Sequence, residues 1–265
     1  MGEAPLLEIK GLGKRFAARQ GREPSPWVIQ GLSFSVQPGE FLTIVGPSGA
    51  GKSTLLNMIA QIDTVSEGEI VFNGEALASR DARALRPGCG RRIGYVTQDD
   101  NLLPWRTTFD NVLFPIEVQG RLDAQTRAHA EMLVGAVGLS GFERYYPHEL
   151  SGGMRKRAAL IRTLAYDPPV ILMDEPFAAV DAQTRAQLQA DLLRLWSLKR
   201  KTIIFVTHDI TEAIALGDRA LVLSRQPTRI AAEHTIPIPR PRKVEDIFAL
   251  EGFATVYERI RAAIQ

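Results

Sequence analysis

Phe41-Leu42-Thr43-Ile44-Val45-Gly46-Pro47-Ser48-Gly49-Ala50-Gly51-Lys52-Ser53-Thr54 is an apolar run that opens directly into a glycine-rich loop. A continuous apolar run marks a strand covered on both faces. The loop fits G-x-x-x-x-G-K-[ST], and the residues from Ser53 to Gln61 have a helical pattern. That strand, loop and helix context is what a P-loop requires. Glycines 46, 49 and 51 let the backbone wrap closely, so that its N–H groups face phosphate oxygens. The start of the helix adds its positive dipole end. Lys52 is expected to reach the β- and γ-phosphates, and the Ser53 hydroxyl to bind Mg²⁺. The whole stretch Gly46, Pro47, Ser48, Gly49, Ala50, Gly51, Lys52, Ser53 and Thr54 is therefore the expected nucleotide cradle.

Working outward, Leu6 to Ile9 and Val28 to Val36 read as strands, separated by a polar loop from Ala17 to Pro26. Ile70 to Phe72 and Ile93 to Val96 are further strand candidates. From about Asp99 to Ala165 strand-like runs vanish, and Ala124 to Val137 and Met154 to Tyr166 carry helical patterns. Strands return at Val170 to Met173, Thr202 to Val206 and Ala220 to Leu223. Between them lie a helix from Ala182 to Lys199 and a short one from Thr211 to Leu216. This alternation predicts an α/β fold with a mostly parallel sheet and ligands at the carboxyl ends of its strands. The expected division is a core from 1–98 and 166–225, a helical subdomain from 99–165 and a tail from 226–265. Pro237, Pro239 and Pro241 favour an extended path before a closing helix from about Val244 to Ala263.

The chemistry-bearing residues outside the loop are few. Asp174 and Glu175 end the apolar strand Val170-Ile171-Leu172-Met173. A magnesium–nucleotide site needs one acid for the metal and one for the attacking water, and these two suit the roles in that order. Gln98 follows the strand Ile93 to Val96, where its amide can touch Mg²⁺ or water. His208 follows the strand Thr202 to Val206 and can donate to a γ-phosphate. Asp181 stands at the start of a helix, where it can simply cap. Leu150-Ser151-Gly152-Gly153-Met154 opens another predicted helix, whose first N–H groups form a second anion-binding terminus.

The bulk numbers limit the alternatives. The 265 residues are 45% hydrophobic, ample for a buried core. Lys and Arg number 32 against 30 Asp and Glu, a net charge of +2, which gives no electrostatic case for nucleic acid. Cys89 is the single cysteine, so an internal disulfide is impossible and a reducing compartment fits. Met1-Gly2-Glu3-Ala4-Pro5 lacks the basic start and apolar core of a signal peptide. No apolar run approaches the roughly 20 residues needed to span a bilayer. A membrane role is expected to come through a partner.

Taken in order, P-loop, Gln98, Ser151-Gly152-Gly153, Asp174-Glu175, Asp181 and His208 resemble the full pattern of the ATP-binding cassette (ABC) ATPases. The resemblance runs from about Leu6 to Leu223. It implies a RecA-like mostly parallel sheet with an antiparallel β part and an inserted α-helical subdomain. It also implies a head-to-tail homodimer holding two ATP molecules with Mg²⁺. Each ATP would lie between Lys52 of one copy and Ser151, Gly152 and Gly153 of the other. Phe16 matches the aromatic position that stacks on adenine. Asp181 matches the acid that communicates across the dimer, and Gln98 the sensor tied to the helical subdomain. Asp99-Asp100-Asn101-Leu102-Leu103-Pro104-Trp105 would meet a transmembrane permease subunit.

Met154 in place of the usual Gln, the Leu-Leu-Pro-Trp run and Ile236-Pro237-Ile238-Pro239-Arg240-Pro241-Arg242 together look like the nitrate/sulfonate/taurine importer branch. That branch implies a peripheral protein on the cytoplasmic face of the bacterial inner membrane, served indirectly by a periplasmic or extracellular solute-binding protein. Lys156 departs from the branch, which usually has Gln there, and Val180 from its commoner Leu. Two other classes fit less well. A soluble ABC ATPase acting on nucleic acid or ribosomes typically carries long coiled coils or tandem cassettes. A P-loop kinase of a small metabolite needs its own acceptor site and no Ser-Gly-Gly turn.

Overall fold

The structure is a computed structural model, and it describes residues 4–16, 25–79, 92–178 and 180–264. Most of the loop expected from Ala17 to Pro26 lies outside the described residues, as does Cys89. The chain divides into two compact units, 1–89 with 201–265, and 90–200.

The first unit opens with β1 (Leu7–Lys14), β2 (Ile29–Val36), β3 (Phe41–Val45), α1 (Lys52–Ile59), β4 (Glu67–Phe72) and β5 (Glu75–Ser79). Strands β2, β1, β4 and β5 form an antiparallel sheet in that order. Strand β1 runs farther than its apolar start predicts, with register shifts after Ile9 and Leu12. All five residues of β3 are buried, as its uninterrupted apolar character requires.

The second unit contains β6 (Ile93–Val96), α2 (Thr108–Val118), α3 (Ala124–Ala136), α4 (Gly152–Ala165), β7 (Val170–Asp174) and α5 (Ala182–Lys199). Strands β6 and β7 pair in parallel, Val96 beside Met173. Gln98 and the Asp174-Glu175 pair therefore leave the same carboxyl edge. Helix α3 starts with a capping box, in which Asp123 and Thr126 satisfy each other's backbone N–H groups.

The chain returns to the first unit with β8 (Thr202–Thr207), α6 (Ile210–Leu216), β9 (Arg219–Leu223), β10 (Ile230–Thr235) and α7 (Phe253–Ala263). Strand β3 lies between β8 and β9, parallel to both, with Val45 beside Thr207 on one side and Val222 on the other. The P-loop, His208 and the β9–β10 hairpin thus emerge at one edge, where open α/β sheets place their ligands. Strand β10 pairs antiparallel with β9.

The closing helix expected from Val244 to Ala263 is two pieces. A 3₁₀ stretch, Val244–Ala249, is parted from α7 by Gly252 at φ 86°. The tail packs. Ile236, Ile238, Ile247, Phe253, Val256 and Ile260 join a core cluster with Ala213, Ile214 and Val222. Arg242 is buried among them and donates to the carbonyls of Ile214, Gly217, Ile236 and Ile238. Burial, and then Arg240 nearby, push its guanidinium down to about 10, so it stays charged at neutral pH.

Candidate functional site

In the first unit the P-loop has the form its glycines permit. Gly49 and Gly51 lie at φ 78° and 71°, where a side chain is strained, and a Cβ on Gly46 would meet the Leu223 carbonyl oxygen at 3.0 Å. Gly51 is the N-cap of α1; it offers no side-chain cap, and the first turn holds no acid. No carboxylate of the helix's own first turn thus competes for the opening N–H groups of α1. Ser48, Gly49 and Ser53 are exposed, Pro47 and Thr54 half-buried, and Gly46 and Ala50 buried. Lys52 is buried, and its Nζ donates to the Gly46 and Pro47 carbonyls at 2.9 and 3.1 Å. An ammonium held over its own glycine loop is well placed to meet a phosphate.

His208 is exposed between two anchored neighbours. The Thr207 hydroxyl donates to the Glu212 carboxylate and accepts from the Asp209 N–H. Asp209 caps α6 by accepting from the N–H groups of Thr211 and Glu212 at 2.8 and 3.3 Å. Phe16 is 47% exposed, and the Lys14 ammonium lies 5.1 Å from its ring centre.

In the second unit Asp174 accepts from the Tyr95 hydroxyl at 3.4 Å. Burial first, and then the charge of Asp174, push the Tyr95 phenol well above its ordinary value. Glu175 sits at φ 43°, left-handed backbone that is rare for a residue with a side chain. Ser151 is the N-cap of α4, its hydroxyl accepting from the Met154 N–H at 3.2 Å. Ser151 and Gly152 are exposed. A Cβ on Gly152 would meet only Arg155 Nη2 at 3.9 Å, whereas one on Gly153 would strike Thr184 Cγ2 at 2.7 Å. Gly152 leaves the turn open, and Gly153 lets α5 approach. Asp181 caps α5 by accepting from the Thr184 N–H at 3.0 Å, a bond that lowers its pKa.

Motif reading missed how Gln98 is held. Gln98 is exposed, and its carbonyl accepts from Lys156 Nζ. Arg155 pairs with Asp100 at 3.1 Å. Arg162 donates to the carbonyls of Asn101 and Asp100 at 2.6 and 2.9 Å. Three cations of α4, the helix that Ser151 begins, thus grip the segment after β6. Burial lowers the pKa of Lys156, opposed by Asp100 and Asp99. No local sequence signal links these residues, since more than fifty positions separate each pair.

Within the first unit, the Lys52 ammonium over the glycine loop and the exposed Ser53 hydroxyl are the kinds of group a magnesium–nucleotide takes. Among the described residues no group of three or more His, Cys, Asp and Glu could hold a metal ion by itself. Magnesium at nucleotide sites commonly needs only one or two protein ligands, with phosphates and water supplying the rest.

The sequence profile of the ABC transporter family matches residues 29–178. The chain is 39% identical to the aliphatic sulfonates import ATP-binding protein of Bacillus cereus, over 90% of each chain. It is 38% identical to the taurine import ATP-binding protein of Rhizobium johnstonii, over 98% of this chain and 96% of that one. A solved dimeric ATP-binding cassette in a post-hydrolysis state, bound to ADP and Pi, superposes with a TM-score of 0.74. It is 30% identical, and the match covers 87% of this chain and 98% of that one. With a P-loop at the carboxyl edge of its parallel strands and a Ser-Gly-Gly helix start, the chain belongs to the ABC transporter family as an ATP-binding cassette ATPase.

Proposed function

We propose that this chain is the energising subunit of an ABC importer for a small sulfonate-, taurine- or nitrate-type anion. In this reading two copies close head to tail on two ATP molecules. The loop Gly46 to Thr54 of one copy binds the phosphates, and Ser151, Gly152 and Gly153 of the other cap the γ-phosphate. Lys52 contacts the β- and γ-phosphates, and Phe16 stacks on adenine. Ser53, Gln98 and Asp174 would hold Mg²⁺, which would supply charge neutralisation for the phosphate oxygens. Glu175 orients the attacking water and accepts its proton, while His208 donates a hydrogen bond to the γ-phosphate. Asp181 carries the signal between copies. A phosphate bound by two helix N-termini makes closure depend on an intact γ-phosphate, and hydrolysis releases it.

The observation that carries this reading is the exposed start of α4, where Ser151 caps the helix and Gly152 leaves its first turn uncovered. The aliphatic sulfonate and taurine import relatives support the sulfonate and taurine part of this solute class. Trp105, 71% exposed on the segment after Gln98, suits the docking face of a transmembrane permease. In this reading the chain is a peripheral subunit at the cytoplasmic membrane face; no helix of the described residues is long and apolar enough to cross a membrane. A solute-binding protein acts on this chain only through the permease.

The test is reconstitution with the permease in lipid vesicles. ATP turnover should rise several-fold when a binding protein loaded with taurine, an alkanesulfonate or nitrate is added. Turnover that none of the three stimulates contradicts the importer-branch reading.

A further inference from the structure

The hairpin between β9 and β10 reaches the phosphate loop from a distant part of the sequence, and no motif assigns it a part. Gln226 Nε2 donates to the Gly49 carbonyl at 2.8 Å, and Thr228 Oγ1 donates to the Ala50 carbonyl at 2.7 Å. Thr228 is fully buried. Its backbone is tied to the start of β2: its N–H donates to the Val28 carbonyl at 2.9 Å, and its carbonyl accepts from the Gln30 N–H at 3.1 Å. The hydroxyl therefore projects from an anchored backbone. Gly51 lies against it, since a Cβ there would meet Thr228 Oγ1 at 3.4 Å.

A trans peptide is planar, with its carbonyl and N–H on opposite sides. The Ala50 carbonyl and the Gly51 N–H belong to one such plane. Turning that carbonyl toward Thr228 turns the Gly51 N–H away from the hairpin. Glycine at 51 adopts either sign of φ readily, so the plane can reorient at little cost unless something outside the loop holds it. By contrast, the preceding N–H, on Ala50, is already spent on the Pro47 carbonyl at 3.1 Å.

We propose that Thr228 is a positioning residue for nucleotide binding, whose hydroxyl fixes the Ala50–Gly51 peptide so that the Gly51 N–H faces the phosphates. This rests on the loop being the ATP site, and it gives the segment after Ser224 a part in ligand affinity as well as in packing. Gln226 steadies the neighbouring Gly49 carbonyl from the exposed rim.

Thr228→Val keeps the branched shape and removes the donor. In the full chain it should weaken MgATP binding, measured by calorimetry, by about tenfold. Turnover at saturating ATP should stay within about twofold of the wild type, because the group acts on binding geometry and touches no reacting atom. Thr228→Ser should restore most of the affinity. A valine variant that binds MgATP like the wild type overturns the proposal, as does a serine variant no better than valine. If the valine chain is insoluble, Thr228→Ala carries the same expectation without the extra methyl group. If the wild type binds no ATP, the proposed function fails instead. Hydrogen–deuterium exchange of the 46–54 amides then decides the brace: faster exchange in the valine variant supports it, and unchanged exchange overturns it.

Discussion

Glu175 combines a carboxylate at the end of a buried strand with a left-handed backbone at φ 43°. Strain of this kind costs about 1–3 kcal/mol and persists where surrounding structure imposes it. Glu175→Gln keeps the shape and removes the proposed base, so MgATP should still bind while single-turnover hydrolysis slows by roughly 10²–10⁴-fold. Turnover near the wild-type rate would move the base elsewhere. At this scale the sequence was highly legible. The P-loop, the acid pair and the Ser-Gly-Gly turn sit at strand and helix ends because a short motif encodes both the local geometry and the chemistry. Thr228 and Lys156 were not legible as contacts. Their partners are 178 and 58 positions away, and only the fold brings them together.

Elements were legible where period and burial agree. Phe41–Val45 and Ala182–Lys199 form as read, one uniformly buried and the other capped by Asp181. Helix α2 escaped because Pro115 lies inside it and obscures a helical reading. Strand β5 is built from residues with little strand preference, and pairing with β4 overrides that. Strand β10, Ile-Ala-Ala-Glu-His-Thr, is similarly weak and occupies a sheet edge. The tail, whose role the sequence left open, is fastened to α6 by Arg242. Arg242→Met keeps the aliphatic stem and abandons four carbonyls, so it should cost about 2–4 kcal/mol in denaturant unfolding. A loss below about 0.5 kcal/mol would mean that water satisfies those carbonyls. The grip of α4 on Asp100, Asn101 and the Gln98 carbonyl belongs to this scale as well. Lys156→Met should lower ATP turnover several-fold while Arg162 still holds Asn101 and folding is kept. Unchanged turnover would make the Lys156 contact dispensable.

One chain carries two helix starts that we propose bind phosphate, the P-loop of the first unit and the Ser151 N-cap of the second. Helix N-termini attract anions by their unpaired N–H groups and aligned dipoles, so each end is sufficient to touch a phosphate. The proposed homodimer gives both ends a purpose: a closed C2 assembly uses each twice and leaves neither exposed. Glu175→Gln should trap that assembly, since bound ATP is no longer consumed. Light scattering on the size-exclusion eluate of Glu175→Gln at saturating MgATP is the most direct test. The account predicts a mass twice that of the 29.2 kDa chain, collapsing to the single-chain mass when nucleotide is removed. A single-chain mass with ATP demonstrably bound would contradict it.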